Sequence, residues 1–208
     1  MRGEPTTLPD DSAQRDGRAE RSERTRAAVV EALLSLIDEG VLRPTAPRIA
    51  ERAGVSLRTV FHHYEDMEAL FATAADMQLK RIMALAAPLP RDGALEDRID
   101  ALAMSRSRLH EAVSPVRRAA LLVEHESPTI AERLRWVRDL GRRELARVFE
   151  IELAAREPTD RRELLEALTA ATSWSCWEAL RTHQGLTLPA ARRAMARTVR
   201  ALLTEDGR

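Results

Sequence analysis

The chain contains no asparagine, one lysine (Lys80), one cysteine (Cys176) and one tyrosine (Tyr64), and aromatic residues make up only 3% of it. A single cysteine excludes an intrachain disulfide and any zinc site built on thiolates. The longest stretch without a charged residue, Ala167 to Trp177, covers 11 residues, well short of the ~20 that a membrane-spanning helix requires. Residues 1–20 are polar, with Pro5, Pro9 and Gly17, and hold no apolar signal segment. The chain therefore reads as soluble and cytoplasmic, with no membrane partner. Nucleotide-binding and catalytic signatures are missing as well: there is no G-x-G-x-x-G, P-loop, G-x-S-x-G or H-E-x-x-H, and no nucleophile has a recognisable base nearby. The sequence predicts no enzyme, no cofactor and no metal. An excess of one charge sign is absent too, since 33 basic and 33 acidic side chains cancel. Any face that binds nucleic acid must then be local. The near-absence of lysine runs through every segment and reads as base composition of the genome.

What the chain has in abundance is Ala, Leu, Arg and Glu, all strong helix formers, while β-branched runs are scarce. The fold class is all-α, with about nine helices. Residues 1–20 show no hydrophobic periodicity and read as a flexible arm. Val29, Val30, Leu33, Leu36 and Ile37 recur at helical spacing until Gly40 closes the first helix. Helices follow over 46–53 (capped by Thr45), 56–63, 66–87 (capped by Asp66), 95–113, 115–125, 128–156, 160–183 and 188–203. Their boundaries come from Gly54, Pro88, Gly93, Pro115, Ser127-Pro128, Pro158, Gly185 and Pro189. The division is a 1–20 arm, a 21–66 helix-turn-helix domain and a 67–208 body.

The window Ala46 to Glu65 fits a helix-turn-helix position by position. Ala50 is small where two helices must cross, Gly54 takes the positive φ of the turn, and Ile49, Ala53, Val55 and Val60 supply the apolar contacts between the helices. The run IAERAGVSLRTVFHHYEDMEALF, Ile49 to Phe71, resembles the signature of the TetR/AcrR family of transcriptional regulators, and the resemblance extends over Arg24 to Phe71. A second stretch, SWSCWEALRTHQGLTLPAARRAMARTVRALL, is similar to the last two helices of many members. The resemblance implies an all-helical homodimer with an N-terminal three-helix DNA-binding head, a C-terminal regulatory and dimerisation body, double-stranded operator DNA as partner and a small-molecule effector. The chain departs from the family at two phosphate-contacting positions. Phe61 stands where Tyr is usual, and Met67, between Asp66 and Glu68, stands where Lys is usual.

The candidate DNA contacts are Thr45, Arg48, Ser56, Leu57, Arg58, Thr59, Phe61, His62 and His63. Ser56 either caps the second short helix or contacts DNA. Leu57 and Arg58 lie at the helix N-terminus that the motif inserts into the major groove. Arg58 either reads a guanine edge bidentately or grips a phosphate. Thr59 matches the family's phosphate-contacting Thr, His62 faces outward, and His63 lies near the backbone or packs under the head, while Val60 and Tyr64 read as core. With no Asn, and Gln only at positions 14, 78 and 184, the usual adenine reader is missing. Arg15, Arg18, Arg21 and Arg24 either follow a minor groove or, interleaved with acids, form a solvated arm.

In the body, the uncharged run 167–177 has to be covered on most sides. A four-helix bundle with a second copy would do so, with Leu168, Ala171, Cys176, Trp177, Met195 and Val199 at the interface; core burial of the tryptophans is the alternative. Arg106 and His110 interrupt the apolar stripe Ile99, Leu102, Leu109, Val113. Together with Trp136 and Trp174 they are candidates for an effector pocket, and a structural ion pair is the competing explanation. His125 between two glutamates is a weak metal corner, and Cys176 reads as inert core rather than a redox sensor. Two other function classes stay open: a helical interaction module that kept the fold but lost DNA binding, and a small helical enzyme.

Overall fold

The structure, a computed structural model, describes residues 11–85 and 88–204. Among these residues it contains α1 (Asp11–Asp38), α2 (Ala46–Ala53), α3 (Leu57–His63), α4 (Met67–Leu85), α5 (Leu95–Leu121), α6 (Pro128–Val148), α7 (Glu150–Ala154), α8 (Pro158–Ala171), α9 (Trp174–Glu178), a wide π turn over Ala179–His183, and α10 (Leu188–Thr204). No strand occurs among them, so the all-α expectation holds. The chain divides into two compact units after Ala74, a point that falls inside α4.

In the first unit α1 packs on α2 and α3. Leu33, Leu36 and Ile37 of α1, together with Ile49 and Val60, are almost fully buried. The spacing in α1 puts them on one face, and their burial supplies most of what holds three short helices together. Residues 1–10 of the expected arm lie outside the described residues. Residues 11–20, part of the expected flexible arm, are helical and continuous with α1. Their Ala, Gln, Arg and Glu have good helix propensity and need no buried face to extend a helix already nucleated by its apolar half.

The second unit is built on α5. It packs against α10 and α9, α8 packs against both α10 and α6, and α7 links α6 to α8. Ile99, Leu102, Leu145, Val148, Phe149, Leu168, Ala196, Val199 and Leu203 belong to one buried cluster; Trp177, Ala191 and Met195 form a second.

Three expected boundaries shift for local reasons. Pro115 lies inside α5 rather than opening a new helix. A mid-helix proline costs ~3 kcal/mol through the lost N–H and ring clash, but buried residues on both sides of it, from Ile99 to Ala119, keep the helix going. The helix expected over 128–156 breaks at Phe149 (φ −111°, ψ 30°), whose side chain is fully buried. The helix expected over 160–183 breaks at Thr172, where the Thr172 hydroxyl donates to the Leu168 carbonyl (2.8 Å) and the Ser173 hydroxyl accepts from the Cys176 amide (3.2 Å). Serine and threonine offer the backbone these local alternatives, so two adjacent ones end a helix that composition alone would continue.

Replacing Phe149 with Ala should destabilise the second unit by about 3–5 kcal/mol, the usual range for deleting a fully buried aromatic ring. Urea unfolding followed by tryptophan fluorescence checks it, and a loss below about 1 kcal/mol would mean the site collapses around the gap.

Candidate nucleic-acid interface

The turn between α2 and α3 is made by Gly54 at φ +66°, a left-handed conformation that side chains with a Cβ adopt at a cost. The amides of Gly54 and Val55 return to the Glu51 and Ala50 carbonyls (3.1 and 3.0 Å), closing α2. Two residues later Ser56 caps α3: its Oγ accepts from the Thr59 amide at 3.0 Å and shares a hydrogen bond with the Thr59 hydroxyl at 2.8 Å. The cap satisfies a first-turn N–H that would otherwise lack an intrahelical partner.

The orientation of α2 on α1 is fixed by a fork. Arg52 donates two bonds to the Glu39 carboxylate (2.6 and 2.7 Å) and one to the Ser35 hydroxyl (2.7 Å). The guanidinium holds the Glu39 carboxyl below its usual range. Nothing in the sequence pattern singled out this pair; only the fold brings positions 39 and 52 together. Underneath α3, Tyr64 is buried, its hydroxyl donates to the Arg26 carbonyl at 3.1 Å, and the Arg26 guanidinium lies 5.4 Å from its ring centroid. Val60 and Tyr64 are core, as the sequence reading has them.

This arrangement leaves one face of α3 uncovered. Leu57 and Phe61, one turn apart, are 42% and 47% exposed, and Arg58 and His62, also one turn apart, are exposed beside them. Thr59 and His63 are half-buried, while Thr45 and Arg48 are exposed at the start of α2. Thr45 has the extended backbone of a cap but makes no side-chain cap bond. Arg58 has no ion pair among the described residues. An open depression of about 430 Å³, lined by Leu36, Arg48, Glu51 and Arg52, lies on the same unit. Met67 is half-buried at the first position of α4, whose cap is Asp66 accepting from the Ala69 amide at 2.8 Å. Arg18, Arg21 and Arg24 are exposed along α1, Arg21 and Arg24 bonding carbonyls of their own helix; the Arg15 side chain lies outside the described residues.

Residues 29–74 match the family model of bacterial regulatory proteins of the tetR family. Over this stretch the head resembles that of the tetR family of bacterial regulatory proteins. No curated protein matches the sequence. Among solved structures, the chain is similar to a transcriptional regulator from Rhodococcus sp. Rha1 (21% identity, 88% of this chain and 95% of that one, TM-score 0.64). It is also similar to a TetR-like transcriptional regulator from Rhodococcus sp. RHA1 (18% identity, 96% and 100%, TM-score 0.60) and to the multidrug binding protein EbrR complexed with imidazole (18% identity, 83% and 93%, TM-score 0.55). At these identities the likeness shows a shared fold, and the proteins sharing it are described as regulators or ligand binders rather than as enzymes. No described helix is long and apolar enough to cross a membrane.

In the second unit, the residues expected to line an effector pocket have partners from the chain itself. Arg106, 7% exposed, donates from Nη2 to Glu144 (2.9 Å) and to the Gly141 carbonyl (3.3 Å). The ion-pair alternative is therefore what the geometry contains. The His110 ring Nε2–H donates to the Thr172 carbonyl at 2.9 Å; burial, assisted by Arg106 and Arg117, pushes its pKa down to about 4. The Trp174 indole donates to the Ser114 hydroxyl (2.9 Å), which itself donates to the His110 carbonyl (2.7 Å). Trp136 stands apart from this network on α6 and is 43% exposed.

The residues expected at a dimer interface differ in how far their own chain covers them. Leu168, Trp177, Met195 and Val199 are at most 1% exposed within a single chain, so their area is already used by its own core. An uncharged run shows that a helix is covered, not by which molecule. Ala171 and Cys176 are half-buried, and burial pushes the Cys176 thiol pKa up, away from thiolate chemistry. His125 touches Glu126 at 3.2 Å with both side chains exposed, and among the described residues no cluster of His, Cys, Asp or Glu suits a metal.

His110 gives the body a defined acid response. The folded state keeps the ring neutral down to about pH 4, whereas the unfolded chain takes up a proton near the ordinary value of 6.5. This contribution is fully present above pH 6.5 and is lost as the pH falls from 6.5 toward 4, by an amount on the order of 3 kcal/mol. His110→Gln keeps a donor for Thr172 and removes the titration. Its urea midpoint should fall less than that of the wild type between pH 7 and 4.5; parallel curves would mean that His110 is protonated in the fold.

Proposed function

We propose that the protein is a ligand-responsive transcriptional repressor that binds an inverted-repeat operator as a homodimer and releases it when a small-molecule effector binds the body. The observation that carries this reading is the uncovered face of α3. A helix with a capped N-terminus, set by Gly54 and the Arg52–Glu39 fork, presents an unpaired arginine and two large apolar side chains that no part of its own unit covers. Arginine with guanine, and apolar side chains with the thymine methyl, are the pairings by which such a helix reads a major groove. His62 and the Ser56–Thr59 cap flank that reading edge, and Thr45 and Arg48 contact the backbone beside it.

The outer faces of α8 and α10 are proposed as the dimer surface. Glu163, Glu166 and Ala170 of α8 and Arg193, Arg197 and Ala201 of α10 are exposed, carry complementary charges and small side chains, and lie on adjacent helices. Two-fold pairing of such faces gives the symmetry an inverted repeat requires. The similarity in fold to a multidrug binding protein that holds imidazole supports an effector site in the body. The exposed Leu57–Phe61 pair also suits a protein partner, which keeps an interaction module as the second reading; a gel shift with DNA flanking the protein's own coding region separates the two.

Arg58→Ala is expected to weaken operator binding and relax preference at one G·C pair per half-site, a loss of about 1–3 kcal/mol in discrimination. Met67→Lys restores a sequence-blind cation, so it should strengthen operator and scrambled DNA alike and steepen the slope of log K against log salt by ~0.9 per contact, ~1.8 per dimer. Salt titrations by fluorescence anisotropy check both. Equal losses for Arg58→Ala on every sequence would make Arg58 a phosphate contact only, and an unchanged slope for Met67→Lys would place the start of α4 away from the DNA backbone.

A further inference from the structure

Arginines 98, 106 and 117 sit along α5, and the first two have carboxylate partners: Arg98 forks onto Glu152, and Arg106 pairs with Glu144. Arg117 has none. Its Nε is sealed from solvent without an acceptor, and among the described residues the side chain makes neither an ion pair nor a hydrogen bond. The charges that act on it are Arg138, which opposes it, and Glu124, which favours it. That single carboxylate is already engaged, because Arg138 donates to both Glu124 oxygens at 2.8 and 3.1 Å. Two guanidiniums therefore share one carboxylate, and the group is left with an excess of one positive charge.

The position of this excess is as informative as its size. Residues 106, 110, 114 and 117 are spaced so that they share one face of α5. Helix packing in the unit joins α5 to α10 and α9, α8 to α10, and α6 to α8. Between α5 and α6 the link is made by long side chains, the Arg106–Glu144 pair among them. Arg106 and His110 on this face are satisfied by the chain itself, so the polar stripe that attracts attention in the sequence is structural up to Ser114, and the unsatisfied member is one turn further on. Burial and Arg138 draw the Arg117 pKa down to about 10, which still leaves it charged at neutral pH. A half-buried guanidinium without a counterion is costly, and proteins retain such groups where a ligand completes them.

We propose that Arg117, with Arg138 beside it, is the recognition point for a small-molecule carboxylate bound between α5 and α6. This rests on the reading of the body as an effector domain and names the chemical class of the effector. A monoanion matches the single excess charge, and the planar carboxylate offers two acceptors to the guanidinium fork.

The test uses the full-length protein and matched probes at constant ionic strength: benzoate against benzamide, phenylacetate against phenylacetamide, and hexanoate against hexanamide. At about five times its Kd, a carboxylate that binds should raise the thermal midpoint of the wild type by about 2–4 °C over its amide. Arg117→Met should abolish that difference, Arg117→Lys should reduce it, and Arg118→Gln, on another face of α5, should keep it. Without any ligand, Arg117→Met should leave the midpoint unchanged or raised, whereas Arg106→Met, which orphans Glu144, should lower it. The proposal is overturned if no carboxylate outperforms its amide on the wild type, if the difference survives Arg117→Met and Arg117→Lys, or if ligand-free Arg117→Met falls as far as Arg106→Met. Gel shifts with the same probes keep the two readings apart. A neutral amide that releases DNA would uphold an effector domain and refute the carboxylate site, and a carboxylate that binds through Arg117 without affecting DNA would uphold the site and refute its effector role.

Discussion

A guanidinium does not lose its proton at any pH a protein experiences, so an arginine drawn into a helical interior has to bring or find an anion. With Lys80 as the only lysine, nearly every cation in the chain is a guanidinium, and those that are buried meet this constraint. The resulting forks connect elements rather than decorate them: Arg52–Glu39 joins α2 to α1, Arg98–Glu152 joins α5 to α7, Arg118–Glu178 joins α5 to α9, Arg133–Asp76 joins α6 to α4, and Arg200–Glu96 joins α10 to α5. Exposed pairs of this kind contribute at most about 1 kcal/mol each. The buried Arg98 is different, since removing Glu152 would strand a charge 3% exposed against the Phe149 ring. Such pairs fix which helix faces which, while the apolar clusters supply the stability.

The same constraint sorts the arginines by use. Those with a carboxylate fork are architectural. Arg58 and Arg117 are among those without one, and they lie on the two proposed surfaces where a polyanion and a small anion, respectively, would complete them. A net charge of zero is therefore compatible with a locally exposed cation: Arg58 on α3 has no ion pair among the described residues, while Glu39 of α1 is taken by Arg52.

How much of this could be read from the residue order depends on the range of the physics involved. The head was legible because its signals are local: Gly54 for the left-handed turn, Ser56 for the cap, and apolar spacing in α1 and α2. The helix ends at Thr172 and Phe149 were not, because one depends on hydroxyl bonding that competes closely with helix propensity and the other on burial of a ring by distant elements. Pro115 misled in the opposite direction, its local cost being outweighed by packing along α5. Leu168, Trp177, Met195 and Val199 were read as covered by a second copy, whereas their own chain already covers them, since hydrophobicity does not identify the covering surface. Arg106 drew attention because it interrupted an apolar stripe. Arg117 interrupts nothing in the sequence, and only the list of partners it lacks reveals it.

The distribution of aromatic side chains has an optical consequence. The one tyrosine, Tyr64, is buried beneath α3 in the first unit, whereas Trp136, Trp174 and Trp177 all belong to the second. Trp174 and Trp177 are enclosed and hydrogen-bonded through their indole N–H groups to Ser114 and Glu111 of α5, while Trp136 faces solvent. Emission excited at the red edge of the indole band thus reports on the body alone. Within it, a blue-shifted component reads the α5–α9 contact and a red-shifted, quencher-accessible component reads the surface of α6, so the native chain separates the melting of its own parts without an added label.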